Sequence, residues 1–298
     1  MADRHPAPTH VLVTGSSGLI GTGVLAELRR RGIGSTSLNR RDHDDLRTDR
    51  AVVGSAGDPD VVADALDGAD AVIHLAAAPT PDADDDHVVF SGNVTGTYVV
   101  LEQAARAGIE RVVIASSINA LGVRFHPARV SPPYVPVDHL APTQAADPYS
   151  LSKWLDEETA RAAHRRHGLD VVALRYPLTG GFGDRLPEAF AAQWDDPDEG
   201  TPDLWGYLTT QDAARAAVDA LQPREPGAHV AYVAAPTTCM PLDTADLLDT
   251  YLPAVPRTRE FVGRQVPMDL SVAEEVFGFR APDLSVDELR ERCRAAQE

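Results

Sequence analysis

Thr14-Gly15-Ser16-Ser17-Gly18-Leu19-Ile20-Gly21 follows the apolar run Val11-Leu12-Val13 and opens a helix-like stretch from Val24 to Arg31. Strand, glycine turn and helix start in that order make a phosphate site. Glycines remove the side chains that would block close approach, and a helix N-terminus offers unpaired N–H groups and a positive dipole to a pyrophosphate. The spacing is G-x-x-G-x-x-G rather than G-x-G-x-x-G. A glycine-rich turn alone is often only a turn, so it is the placement between strand and helix that points to a nucleotide.

Working outward, apolar strand-like runs alternate with helical patterns. Strands are expected at 11–14, 35–39, 51–54, 71–75, 111–116 and 171–174, and helices at 21–31, 60–66, 85–107 and 148–167. Alternating β and α with continuous apolar strands implies an α/β fold: a doubly wound parallel sheet, the Rossmann arrangement, with ligands at the carboxyl ends of the strands. After Tyr176 the rhythm breaks. Pro177, Gly180-Gly181, Gly183 and the acidic stretch from Asp195 to Asp203 read as loops. A helix at 212–221 and a strand at 229–233 follow, then short helices including 271–277 and 285–296. The expected division is a dinucleotide-binding domain over 1–176, with 204–235 returning to it. Residues 177–203 and 236–298 then form a small interleaved substrate-binding lobe.

The chain has 298 residues and a formal net charge of −18. That length supports one large α/β domain or two unequal lobes, and an acidic chain is repelled by nucleic acid and anionic membranes. Cys239 and Cys293 are the only cysteines, without metal-ligand spacing, so no disulfide framework and no metal site are expected, and a cytoplasmic setting fits. The first ten residues are polar with no apolar core of a secretory signal, and no run reaches the ~18 apolar residues that span a bilayer.

The second informative stretch is Asp147-Pro148-Tyr149-Ser150-Leu151-Ser152-Lys153. Asp147 is a natural N-cap and Pro148 suits the first helical position. Tyr149 and Lys153 then share one helical face. A free phenol titrates near ~10, so making it a base at neutral pH needs ~4 kcal/mol of preferential phenolate stabilisation. An ammonium, a helix N-terminus and an oxidised nicotinamide are each able to contribute. A Tyr/Lys pair alone is as well explained by an ordinary exposed helix. About thirty residues earlier, 112–117 is a strand ending in Ser116-Ser117, whose hydroxyls suit a substrate oxygen; Ser116 itself reads as a small packing residue. Asn93, inside the long helix, is costly enough there to suggest a task such as fixing a water or a backbone bend.

These residues together resemble the extended branch of the short-chain dehydrogenase/reductase superfamily, the NAD-dependent epimerase/dehydratase family, with some similarity to uronate dehydrogenases. The resemblance runs from about residue 11 to 279. Its carriers are the turn from Thr14 to Gly21, Gly57-Asp58, His74-Leu75-Ala76-Ala77, Asn93-Val94-x-Gly96-Thr97, Ser116-Ser117 with Gly122, Tyr149-x-x-x-Lys153, Leu174-Arg175-Tyr176-Pro177, the stretch from Tyr207 to Ala213, and Ala273 to Phe279. It implies that Tyr149 is the general acid/base, that Lys153 binds the nicotinamide ribose and lowers the phenol's proton affinity, and that Ser117 holds the substrate. Cofactor contacts are implied at Gly15, Ser17, Gly18, Leu19, Ile20, Gly21, Asn39, Arg40, Arg41, Asp58, Leu75, Ala76, Ala77, Asn93, Ala115, Tyr149, Lys153, Tyr176 and Pro177. Substrate contacts are expected at Ser117, Ile118, Asn119, Arg124, Tyr149 and Trp205, with core packing an equal reading of Trp205. His74 is taken as structural.

Departures from the family pattern sharpen the reading. Asn39 stands where NAD-preferring relatives carry an Asp, and Arg40-Arg41 follow. Two guanidiniums attract a 2′-phosphate, which favours NADP over NAD, unless both merely pair with Asp42, Asp44 or Asp45. Ile118-Asn119 replace the Asp-Glu pair of the 4,6-dehydratases. Leu121 replaces a common tyrosine and implies a more apolar pocket wall. The acidic stretch near Asp203 is a poor neighbour for a nucleotide diphosphate, while Arg124, His126, Arg129, Arg175 and Arg185 offer an anion clamp. The expected function is an NAD(P)-dependent oxidoreductase moving a hydride to or from a carbinol carbon of a small polar substrate, a sugar or sugar acid, in a homodimer built on the long helices. Alternatives are a sugar or nucleotide-sugar epimerase and a non-catalytic cofactor sensor on the same fold.

Overall fold

The computed structural model describes residues 6–296. The expectation of no secretory signal falls partly on residues 1–5, outside that range. In chain order the elements are β1 (His10–Thr14), α1 (Leu19–Arg30), β2 (Gly34–Asn39), β3 (Arg50–Val53), α2 (Pro59–Ala65), β4 (Ala71–His74), α3 (Asp86–Arg106), β5 (Arg111–Ser117), α4 (Pro148–His167), β6 (Asp170–Tyr176), β7 (Leu178–Gly180), α5 (Leu186–Asp195), β8 (Tyr207–Thr209), α6 (Thr210–Asp219), β9 (Ala228–Tyr232), α7 (Thr244–Tyr251), α8 (Ser271–Phe277) and α9 (Val286–Ala295).

The main sheet is parallel throughout, in the order β3-β2-β1-β4-β5-β6-β9. Side chains alternate along each strand, so the sheet buries both faces. Val11 and Val13 point into a cluster with Val24, Leu25 and Leu28 of α1 and Ala213, Ala217 and Leu221 in and after α6. Leu12, between them, joins the opposite cluster with Val62 of α2, Val100 and Ala104 of α3, and Ala160 and Ala163 of α4. The chain order reverses between β1 and β4, which opens a crevice at their carboxyl ends, the ligand position of doubly wound sheets.

A third apolar cluster lies off the sheet. It gathers Ile118, Leu121, Val135, Phe190, Trp205, Tyr207, Cys239, Leu247 and Leu289 from four separate stretches of chain. Leu186 and Phe190 reach it from the segment expected as loop. Residues 178–203 hold β7, α5 and a 3-10 helix (Pro197–Asp203), and β7 pairs with β8 in a separate two-stranded parallel sheet. Pro187 at the start of α5 fits the first helical turn, so a residue that reads as a breaker acts here as an initiator. No helix among the described residues is long and apolar enough to cross a membrane.

Candidate active site

The glycine turn is built by contacts that only glycine permits. Gly15 has φ +66°, and a Cβ there would stand 2.7 Å from the Ala76 nitrogen. A Cβ on Gly21 would lie 2.4 Å from the Gly15 oxygen, so α1 packs against the turn backbone to backbone. A Cβ on Gly18 would stand 3.2 Å from the Gly15 oxygen, and Gly18 lines a cleft. The N-terminus of α1 has no side-chain cap and no acidic residue in its first turn, and its leading N–H groups suit an anion. These features fit a dinucleotide pyrophosphate.

Asn39 closes the turn from β2. Its Oδ1 accepts from the Ser17 nitrogen at 3.1 Å, and its Nδ2 donates to Ser16 Oγ at 2.8 Å. Arg40 and Arg41 are exposed. Neither forms an ion pair among the described residues, so the expected alternative of pairing with Asp42, Asp44 or Asp45 is not what the structure shows. Asp58 caps α2 by accepting from the Asp60 and Val61 nitrogens, which fixes its carboxylate at the carboxyl end of β3.

The loop after β4 is braced by buried groups. Thr14 Oγ1 and His74 Nδ1 share a hydrogen bond at 2.7 Å, and the Ala76 nitrogen donates to Thr14 Oγ1. Burial, with Lys153 nearby, pushes His74 down to about 3, so it is neutral and structural. Asn93 is 2% exposed. Its Oδ1 accepts from the Ala78 nitrogen at 2.7 Å, and its Nδ2 donates to the Ala78 oxygen and to Ser152 Oγ. The helix-interior asparagine therefore ties α3 to the loop and to α4. Its amide is spent on protein, not on the direct cofactor contact expected for it.

A cleft of about 700 Å³ runs from this turn to α4. Its walls include Gly15, Gly18, Leu19, Ile20, Leu75, Ala77, Ala115, Ser117, Ile118, Asn119, Arg124, Tyr149, Lys153, Tyr176 and Pro177. Tyr149 stands at the start of α4, which Asp147 caps by accepting from the Ser150 nitrogen at 2.8 Å. The Phe125 ring meets Tyr149 edge-on at 6.0 Å. Lys153, one turn on, donates from Nζ to the Ala115 oxygen at 2.9 Å and to Asp156 Oδ2 at 3.2 Å. Ser117 ends β5, and its Oγ accepts from the Asn119 nitrogen at 3.1 Å, leaving the hydroxyl proton to be donated elsewhere.

Beneath the cleft the structure holds a polar network that the sequence reading missed. Glu157, one turn beyond Lys153, takes a bidentate pair from Arg175 at 2.8 Å on both oxygens and a hydrogen bond from Ser116 Oγ at 2.6 Å. Arg175 also donates to the Tyr232 hydroxyl. Glu157 is fully buried and Arg175 nearly so. Two expectations change. Ser116 is a hydrogen-bonding member of this network rather than a packing residue, and Arg175 is committed to a buried carboxylate and cannot clamp a substrate anion. The signal lay in the period: Glu157 follows Tyr149 and Lys153 at four-residue steps.

The substrate end also departs from expectation. Trp205 is fully buried and donates its indole N–H to the Pro197 oxygen, so it supports the third cluster rather than the cleft. Leu121 lies in the same cluster and does not form the cleft wall. Arg124 pairs with Asp203, its Nε donating at 2.6 Å, and Arg129 pairs with Asp198, while His126 bonds locally to Ala128. Arg185 is the arginine of the expected clamp that lines the cleft without an ion pair among the described residues. Thr179, Ala189, Ala192 and Gln193 complete this wall. The last three are spaced for one helical face, which becomes legible once 186–195 is read as a helix.

Comparison with known proteins places the chain. The model of the NAD dependent epimerase/dehydratase family matches residues 11–232. L-arabinose 1-dehydrogenase (NAD(P)(+)) of Haloferax volcanii is 33% identical over 171 residues, which is 55% of this chain and 65% of that protein. UDP-glucose 4-epimerase of Azospirillum brasilense is 33% identical over 192 residues, 59% of this chain and 51% of that protein. The chain thus spans between half and two thirds of these curated relatives. A solved short-chain dehydrogenase/reductase superfamily protein from Agrobacterium tumefaciens with bound NAD superposes with a TM-score of 0.73, at 26% identity and 97% coverage of both chains. With that family match extending over well more than half of its length, the chain belongs to the NAD dependent epimerase/dehydratase family.

Proposed function

We propose that this protein is an NAD(P)-dependent oxidoreductase acting on a hydroxyl-bearing carbon of a small polar substrate, a sugar or sugar acid. The observation that carries this reading is that the glycine turn, Ser117, Tyr149 and Lys153 all line one cleft. When bound, the cofactor supplies a nicotinamide carbon that accepts or gives a hydride. The protein supplies the rest. The turn and the start of α1 hold the pyrophosphate. Tyr149 takes the hydroxyl proton in oxidation and returns it in reduction. Lys153 holds the ribose and favours the phenolate, and Ser117 orients the substrate oxygen.

The cofactor preference follows from β2. Asn39 brings no carboxylate to repel a 2′-phosphate, and Arg40 and Arg41 stand exposed beyond it, which supports NADP. Glu199 in the cleft wall disfavours a diphosphate-bearing substrate and suits a hydroxyl donor, while Asp203 is held by Arg124. In this reading a substrate-binding lobe from 177–203 and 236–298 is set against 1–176 and 204–235, and the third apolar cluster joins side chains of both. A homodimer through α3 and α4 fits the exposed Val88 and Tyr98 on α3, and sedimentation reads it as a doubled mass.

The test is a panel of sugars, uronates and alcohols, each offered with NAD and with NADP. Stoichiometric appearance of reduced cofactor supports the reading. Product without net reduced cofactor supports the second reading, an epimerase, to which the Azospirillum relative lends weight. Tyr149→Phe is expected to abolish turnover while leaving cofactor binding intact, and undiminished turnover in that variant sinks the mechanism.

A further inference from the structure

Lys153 has a partner that the proposed chemistry does not use. Tyr149, Lys153 and Asp156 stand at steps of four and three along α4, hence on one face. The Lys153 and Asp156 side chains are 5% and 1% exposed, with Nζ 3.2 Å from Oδ2. An ammonium has three protons and no other polarity to offer. One goes to the Ala115 oxygen and one to Asp156, so a ribose diol meets an ammonium already two-thirds engaged. We propose that Asp156 is a positioning residue that competes with the cofactor for Lys153, so that its charge sets how tightly the nicotinamide half of the cofactor is held. This rests on the reading of Lys153 as the ribose contact.

The surroundings leave the competition to these two groups. From β4, His74 faces Lys153 but is uncharged. From α3, the Thr97 hydroxyl favours the Asp156 carboxylate. From β5 comes the Ala115 carbonyl. Glu157, beside Asp156 on α4, is committed to Arg175 of β6, which also bonds Tyr232 of β9. Asp82, on the short turn before α3, is exposed. Burial pushes the Asp156 carboxyl above the ordinary aspartate range, and Lys153 opposes that shift. Protonation of Asp156 therefore comes at a higher pH than for a surface aspartate, and it releases the ammonium to the ribose.

NADH is the probe, because it brings no 2′-phosphate charge of its own. Its affinity is measured by fluorescence at one fixed pH for the native chain, Asp156→Asn and Asp156→Ser. Both variants should bind roughly three- to tenfold tighter than the native chain. A Lys153→Met background should erase the effect of Asp156→Asn. Unchanged affinity in variants that melt like the native chain overturns the proposal. If NADH does not bind, NADPH takes its place as the probe, and failure of the native chain to bind either one overturns the nucleotide reading and this proposal together. Saturable binding indifferent to Asp156 overturns only the proposal.

Discussion

Glu157 shows how one residue decides the rigidity of the site. It holds Arg175 in a buried bidentate pair and receives Ser116, fixing α4 to β5 and β6 at the level of Lys153. A buried pair adds little net stability over apolar residues of the same shape, yet breaking it strands a charge. Glu157→Gln is therefore expected to lower the unfolding free energy by about 3–5 kcal/mol. Urea denaturation measures this, and a loss below about 1 kcal/mol would mean that Tyr232 alone satisfies the guanidinium. Tyr149, Lys153 and Ser117, which line one cleft, were singled out in the sequence through the family resemblance, since the Tyr/Lys spacing alone is also that of an ordinary helix. Asp156 and Ser116 were not, and Glu157 showed only as the third member of a four-residue period, because a buried polar role depends on which strand lies opposite, and one chain's sequence does not say.

Among the elements, α4 falls on its expected 148–167, and the strand–turn–helix unit of β1 and α1 lies within two residues of expectation. A turn that must bring backbone against backbone admits few residues, so its glycines mark it plainly. Gly21→Ala tests that directly. A Cβ 2.4 Å from the Gly15 oxygen must push α1 off the turn, and NADH affinity should fall roughly tenfold or more, about 1.4 kcal/mol. Titration of the folded variant measures it, and native-like affinity would show that the turn yields without loss. The elements that escaped notice were β7, β8, α5 and α7. Three-residue strands such as Leu178–Gly180 and Tyr207–Thr209 are too short to show a period. The glycines around 180–183 masked the start of α5, and α7 is an eight-residue helix whose stability comes from the cluster it packs into.

For the whole molecule, the buried neutral His74 makes stability depend on pH. Its proton affinity falls to about 3 in the folded chain from about 6.5 when unfolded. Below about 6.5 the unfolded chain binds the extra proton, so stability is fully present above that pH and is lost as pH falls towards about 3, by up to ~1.4 kcal/mol per unit. Between pH 7 and pH 5 the native chain should lose about 2 kcal/mol more than His74→Gln does. Equal losses in parallel denaturation series would refute this. Finally, the strand order β3-β2-β1-β4-β5-β6-β9 bears on how the protein is made. Taken in the order of synthesis, β2 and β3 extend one edge from β1, and β4, β5, β6 and β9 extend the other. No strand has to insert between two already paired. The emerging chain can lay down its glycine turn and the first five strands before Tyr149 leaves the ribosome, and the helix that carries Tyr149, held to α3 by Asn93 and to β5 by Lys153, gains its ion-pair anchor when β6 delivers Arg175.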